Sequence, residues 1–143
     1  FRLNCGLGWG GGVKVQDGVP VWAVEMQDCE MRNNTAMEGG ALCLYNTFTR
    51  FTSKTSLFVE NDASQLGGAI SSKFSDALKM EACTLTRNLA KEGSAISFSS
   101  KLGLVGQCGG DNTCIGAAAL ELTKNTHVTR NVATHRSGAV VHG

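Results

Sequence analysis

The chain has 143 residues, 13 Lys and Arg against 12 Asp and Glu, 18 Gly, a single Pro and six Cys. A formal charge of +1 gives it no overall field to gather nucleic acid or an anionic membrane surface, and no apolar run approaches the roughly 18 residues of a membrane span. Abundant Gly, Ser, Thr and Asn disfavour long helices, because each costs helix stability, and suit short strands joined by tight turns.

One pattern recurs along the chain: an apolar residue, two variable residues and Asn, then, a few residues on, three small residues and an aliphatic. It opens as Phe1-Arg2-Leu3-Asn4 with Gly10-Gly11-Gly12-Val13, and returns as Met31-Arg32-Asn33-Asn34 with Gly39-Gly40-Ala41-Leu42. Next come Phe58-Val59-Glu60-Asn61 with Gly67-Gly68-Ala69-Ile70, and Leu85-Thr86-Arg87-Asn88 with Gly93-Ser94-Ala95-Ile96. The last copy is Val128-Thr129-Arg130-Asn131 with Ser137-Gly138-Ala139-Val140. The apolar starts at 1, 31, 58, 85 and 128 give steps near 27, except the last, of 43, which holds 16 inserted residues at about 101–117. No 3.6-residue apolar period runs through the units, so this repeat predicts an all-β solenoid, a parallel β-helix of about five coils of roughly 27 residues with one inserted loop. The chain opens on the apolar residue of a motif and shows no polar cap, so residues 1–143 are expected to be a single segment of a longer solenoid.

Stacking the copies sorts residues into columns. Met31, Phe58, Leu85 and Val128 are expected inward, as are Leu42, Ile70, Ile96 and Val140. Asn4, Asn34, Asn61, Asn88 and Asn131 are expected to form a buried ladder at the bend after the first strand, where Asn tolerates a left-handed backbone. Ala36, Ala63, Ala90 and Ala133 follow where only a small side chain fits, and Gly11, Gly40, Gly68, Gly93 and Gly138 supply the second sharp bend.

Candidate chemistry is sparse. The string Gly6-Leu7-Gly8-Trp9-Gly10-Gly11 has dinucleotide-site spacing, but Val13-Lys14-Val15 after it reads as a strand where that site needs a helix. Polysaccharide cleavage needs converging carboxylates, and no outward column stacks two acids; Glu60 beside Arg87 reads as an ion pair between coils. His127, His135 and His142 fall in different columns, without ligand spacing to a Cys or carboxylate. No catalytic residue, metal or cofactor is therefore assigned. Cys108 and Cys114 bracket a short loop within the insertion and are assigned a disulfide. Cys29 and Cys83 lie two coils apart, about 9.6 Å, beyond bonding reach, and are expected as buried free thiols, while the pairing of Cys5 and Cys43 is open. Asn33-Asn34-Thr35 makes Asn33 a candidate N-glycosylation site on the outer face.

Phe58-Val59-Glu60-Asn61 with Gly67-Gly68-Ala69-Ile70 is a full copy of a Phe-x-x-Asn and Gly-Gly-Ala-aliphatic signature; Met31 and Leu85 replace Phe in other copies, and Gly12 replaces Ala. This pattern resembles the repeats of chlamydial polymorphic membrane proteins, over nearly the whole chain apart from the insertion. The resemblance implies a right-handed parallel β-helix, extracellular or at the cell surface, used in adhesion or assembly. The expected role is a non-enzymatic scaffold whose partners are other protein subunits or further coils of its own polypeptide. A carbohydrate-binding or carbohydrate-cleaving β-helix is the alternative. If the copies stack in register, Asn61→Ala should lower the unfolding free energy by about 2 kcal/mol more than Asn4→Ala, since a central rung has neighbours on both sides. Urea titration of the two variants measures the difference.

Overall fold

The computed structural model describes the backbone of residues 10–16, 23–45, 50–75, 77–100, 107–108, 114–115, 119–135 and 140–142, and their side chains except at 16, 74–75, 100, 107–108, 114–115, 119 and 140–142. Every strand of the repeats pairs in parallel with the equivalent strand one repeat on. Four ladders result, in the chain order of a repeat. The first joins Ala23–Gln27, Arg50–Lys54, Ala77–Glu81 and Ala119–Thr123. The second joins Glu30–Arg32, Leu57–Val59, Thr84–Thr86 and His127–Thr129. The third joins Thr35–Glu38, Asp62–Leu66, Leu89–Ala90 and Val132–Ala133. The fourth has five strands: Val13–Gln16, Leu42–Tyr45, Ile70–Ser75, Ile96–Ser100 and Val140–His142. This all-β, stacked parallel arrangement is consistent with a solenoid.

The registers align Met31 with Phe58, Phe58 with Leu85 and Leu85 with Val128, and they align Val13, Leu42, Ile70, Ile96 and Val140 in turn. Met31, Phe58, Leu85, Leu42, Ile70 and Ile96 are fully buried, and Val128 is half-buried against them. The side chain of Val140 lies outside the described residues. Two inward columns alternate in size: Leu44, Ser72 and Phe98 on the fourth ladder, and Met26, Ser53, Met80 and Leu122 on the first. A small residue between large ones lets neighbouring rungs interlock at interior density.

The first ladder is absent from the motif and supplies much of the core. Val24, Phe51, Leu78 and Leu120 share an inward column, and Phe51, Leu78, Met80 and Leu120 belong to the buried cluster. Its signal is a plain two-residue alternation, Leu78-Lys79-Met80-Glu81 for example, repeated at the common spacing.

Each repeat turns at left-handed residues. Asp28, Thr55, Ala82, Lys124 and Asn125 close the first ladder with φ of 46–60°. Asn33, Glu60, Arg87 and Arg130 close the second with φ of 54–56°. Gly10, Gly39, Gly67 and Gly93 close the third with φ of 58–72°. This corrects two expectations. The ladder asparagines do not carry the strained conformation; the residue before each does. Of the glycines assigned to the bend, only Gly93 is left-handed; Gly11, Gly40 and Gly68 are one place past it, and Gly138 lies outside the described residues.

Gly40 is needed for space instead. A Cβ there would stand 2.3 Å from the carbonyl oxygen of Gly68 and 2.7 Å from that of Asp62. The strand leaving the Asn corner and the strand returning to the fourth ladder therefore run backbone to backbone, and the third ladder forms a narrow ridge. Ala36, Ala63 and Ala90 are buried in it, and Ala133 is half-buried. Repeat three has one residue more between Asn and Gly than its neighbours, and a register shift between Ala36 and Glu38 absorbs it.

Glycine should therefore act oppositely at two sites. Ala82→Gly, at φ 52° and exposed, should raise stability by about 0.5–1 kcal/mol, the left-handed penalty outweighing the entropy of glycine. Gly68→Ala, whose Cβ would meet Ser94 O at 2.1 Å, should cost about 3 kcal/mol. Chemical denaturation midpoints at constant slope separate the two.

Candidate functional site

The Asn corner is a continuous polar ladder through the described repeats. Asn34 donates from its backbone N–H and from Nδ2 to Asn61 Oδ1, at 3.1 and 2.9 Å. Asn61 donates the same pair to Asn88 Oδ1, both at 3.0 Å, and Asn88 donates both to Asn131 Oδ1 at 2.9 Å. The second amide hydrogen of each points back: Asn61 Nδ2 to Met31 O at 3.0 Å, Asn88 Nδ2 to Phe58 O at 3.1 Å, Asn131 Nδ2 to Leu85 O at 3.0 Å. The Oδ1 of Asn61, Asn88 and Asn131 thus each take two bonds, and each of these amide groups bridges repeats. Asn34, Asn61 and Asn88 are fully buried and Asn131 half-buried; Asn4 lies outside the described residues. The bonds to Oδ1 all run in one direction along the stack, and among the described residues the Asn131 backbone N–H has no acceptor.

A second side-chain ladder occupies the bend before the second ladder of strands. Cys29 N–H donates to Ser56 Oγ and Cys83 N–H to Thr126 Oγ1, both at 3.3 Å, while Ser56 Oγ donates to Lys54 O at 2.8 Å. Cys83 is a buried free thiol, and Cys29 is free but half-buried, more open than its column suggests.

The outer faces carry charges paired across repeats. Glu60 sits between Arg87 Nε at 2.8 Å and Arg32 Nη1 at 3.4 Å, and Arg32 Nε also meets Glu30 at 2.7 Å. The hydrogen bond to Glu30 raises the pKa of Arg32 above its ordinary value. Lys79 faces Glu121 at 3.7 Å, and Lys124 hydrogen-bonds Glu81, which lowers the pKa of that carboxyl. Such exposed pairs add little to stability, because solvent screens them. Val59, in register between the more exposed Arg32 and Thr86, is only 2% exposed. Asn33 and Thr35 are exposed, so the sequon faces solvent while Asn34 between them is locked in the ladder.

Beside the ridge lies a polar cluster that the motif does not reveal. Glu38 is 5% exposed; its Oε1 accepts from Lys73 Nζ at 2.8 Å and its Oε2 has no hydrogen-bond partner. Cys43 and Ser71 are register neighbours, both fully buried, and Ser71 Oγ is likewise unpartnered. Desolvation, and then the charge of Glu38, push the Cys43 thiol up to about 11 against the opposing pull of Lys14 and Lys73. A neutral, enclosed thiol is a poor nucleophile.

The other sequence candidates are not brought together. His127 and His135 are exposed, with His135 Nδ1 3.2 Å from Thr134 Oγ1; the side chain of His142 lies outside the described residues. Among the described residues no three of His, Cys, Asp and Glu gather to hold a metal ion, and no helix is long and apolar enough to cross a membrane. Most of the Gly6–Gly11 string lies outside the described residues, and the strand Val13–Gln16 follows it. In the insertion, Gln107–Cys108 pairs antiparallel with Cys114–Ile115, setting Cys108 opposite Cys114; their side chains, and Cys5, lie outside the described residues. Comparisons with protein-family models, curated proteins and solved structures return no match to this chain.

The Cys43 thiol makes a testable contribution to stability. Folding raises its pKa above the unfolded value, so the folded chain keeps a proton that the unfolded chain loses. That contribution is complete below the ordinary value of 9.0 and is lost as pH rises toward about 11. Between pH 8 and pH 11, wild type should lose about 2 kcal/mol relative to Cys43→Ala, read from parallel urea titrations.

Proposed function

We propose that the chain forms five coils of a right-handed parallel β-helix and serves as an extracellular structural or adhesive scaffold, working through protein–protein contacts in a surface assembly. The observation that carries the reading is the unbroken amide ladder through Asn34, Asn61, Asn88 and Asn131, with parallel strands in register around it. Such a stack is stiff along its axis and holds each outer column at a fixed spacing of about 4.8 Å per coil. The resemblance to the chlamydial repeats supports a surface location.

Several outer charges of the described residues meet in pairs of opposite sign, which suits a spacer better than a collector of charged ligands. The inserted loop at 101–117 is then the natural contact element, because loops on a rigid scaffold carry specificity. A Cys108–Cys114 disulfide would tie it, in keeping with their opposed backbone positions. Further coils, from the same polypeptide or another subunit, are the proposed axial partners, since they would offer an acceptor to the Asn131 backbone N–H, which has none among the described residues. A glycan-cleaving role has less support: Glu38 is the one buried acid among the described residues, and two would have to converge.

The test replaces residues 101–118 by a single serine, the length of the link between Ser75 and Ala77. The variant should keep the β circular dichroism and melting temperature of the parent to within about 5 °C, while beads coated with it lose the clustering and cell attachment that parent-coated beads show. Equal attachment by both would overturn the loop's role. Release of reducing sugar from a polysaccharide panel would overturn the non-enzymatic reading.

A further inference from the structure

The outer column at the head of the third ladder changes character along the stack. It carries Thr35 in the second repeat and Asp62 in the third, then Leu89 and Val132 in the fourth and fifth. Leu89 is 37% exposed and Val132 55%, and they are the two large hydrophobic side chains left exposed among the described residues. A lone exposed aliphatic is ordinary on a protein surface, but these two are partners in parallel register, on adjacent rungs about 4.8 Å apart. Thr35 and Asp62 show that the column accepts polar residues, so folding alone does not call for the apolar pair.

Cations flank the pair along the strand direction. Arg87 and Arg130 stand two residues before it, at the Asn corner, and Lys91 two residues after Leu89, all three exposed. Glu60 engages Arg87 at 2.8 Å, whereas Arg130 and Lys91 have no ion pair among the described residues. The third repeat holds the opposite sign in the same columns, with Glu60 and Asp62. A negatively charged partner is therefore repelled from the third repeat and held on the fourth and fifth.

We propose that this face of the fourth and fifth repeats docks an extended acidic segment of another protein, with an aliphatic side chain on Leu89 and Val132 and a carboxylate to either side, on Arg130 and on Lys91. Alternate residues of an extended chain lie about 6.8 Å apart and point the same way, as they do in the strand beneath. A segment that reads acid, any residue, aliphatic, any residue, acid thus meets all three columns at once. The apolar contact holds it and the carboxylates set its place, while a basic segment meets like charge on both sides. The surface belongs to the ladders and goes beyond the scaffold reading, so it stands whatever the inserted loop does.

The probe is the synthetic peptide acetyl-Asp-Thr-Val-Thr-Asp-amide, titrated into the isotope-labelled whole protein and followed by amide shifts in NMR. Shifts should cluster at 86–91 and 129–135 with an apparent Kd of about 1 mM, weakening about fivefold when NaCl is raised to about 0.5 M. Two double variants, Leu89→Ser with Val132→Ser and Lys91→Glu with Arg130→Glu, change exposed side chains and should keep the β circular dichroism while each weakens binding about tenfold. The same peptide with Lys in place of both Asp should leave the spectrum unmoved. Shifts that fall elsewhere or nowhere, equal binding of the Lys peptide, or binding that survives both double variants would overturn the docking surface. Cosedimentation with phosphatidylserine-containing vesicles, lost in Lys91→Glu with Arg130→Glu while the peptide gives no shifts, would overturn it in favour of an anionic membrane.

Discussion

Burying an amide is tolerable only when all of its hydrogen-bonding capacity is met, and the Asn corner meets it with other copies of itself. The Oδ1 of Asn61 and of Asn88 receives two donors from the repeat before, and the Nδ2 of each divides its hydrogens between the repeat before and the repeat after. The arrangement has a strict geometric demand. Asn side chains must lie one above another at strand spacing, so the backbone on both sides must run in parallel register. The four ladders can then be seen as consequences of holding this one column straight, with the apolar columns filling the space that the ladders enclose. An asparagine out of line would leave a buried Oδ1 and a carbonyl such as Met31 O unpaired together, at about 1–3 kcal/mol for each group.

The bends show how the repeat divides its labour. The residue before each ladder Asn takes the left-handed conformation, whatever its side chain, and in three of four repeats that side chain is Glu or Arg. Two of them, Glu60 and Arg87, meet across repeats at 2.8 Å. Strain at the corner thereby places the charged group at the outermost point of the coil, where its partner is the next corner along. The Gly-rich corner is different in kind. Its first glycine supplies the left-handed turn, and its second supplies clearance for the neighbouring backbone.

Much of this was legible in the sequence because the motif residues are those with the least freedom. Asn at the ladder, Gly at the clearance point and an aliphatic at the head of the fourth ladder have few substitutes, so they recur visibly. The first ladder escaped notice because Val24, Phe51, Leu78 and Leu120 answer only to a demand for apolar volume, which any large hydrophobic residue meets. The Glu38, Lys73 and Cys43 cluster escaped for another reason. It belongs to one place in the stack, where the ridge meets the fourth ladder, and no repeat-based reading isolates a feature that occurs once. The left-handed residues could not have been found by type, since Thr55 and Ala82 are poor choices for positive φ and sit there because their neighbours leave no alternative.

The size alternation inside the stack has a consequence for how the chain keeps its place. Leu44, Ser72 and Phe98 occupy successive rungs, and so do Phe51, Leu78 and Leu120 beside Ser53, Met80 and Leu122. The backbone would accept a shift of one whole repeat, because the strands, bends and amides would find equivalent mates. The interior would not: skipping the third repeat would set Leu44 against Phe98 with no small residue to receive either. Each storey of the core is cut for its own neighbours, so the side chains count the repeats that the backbone cannot tell apart.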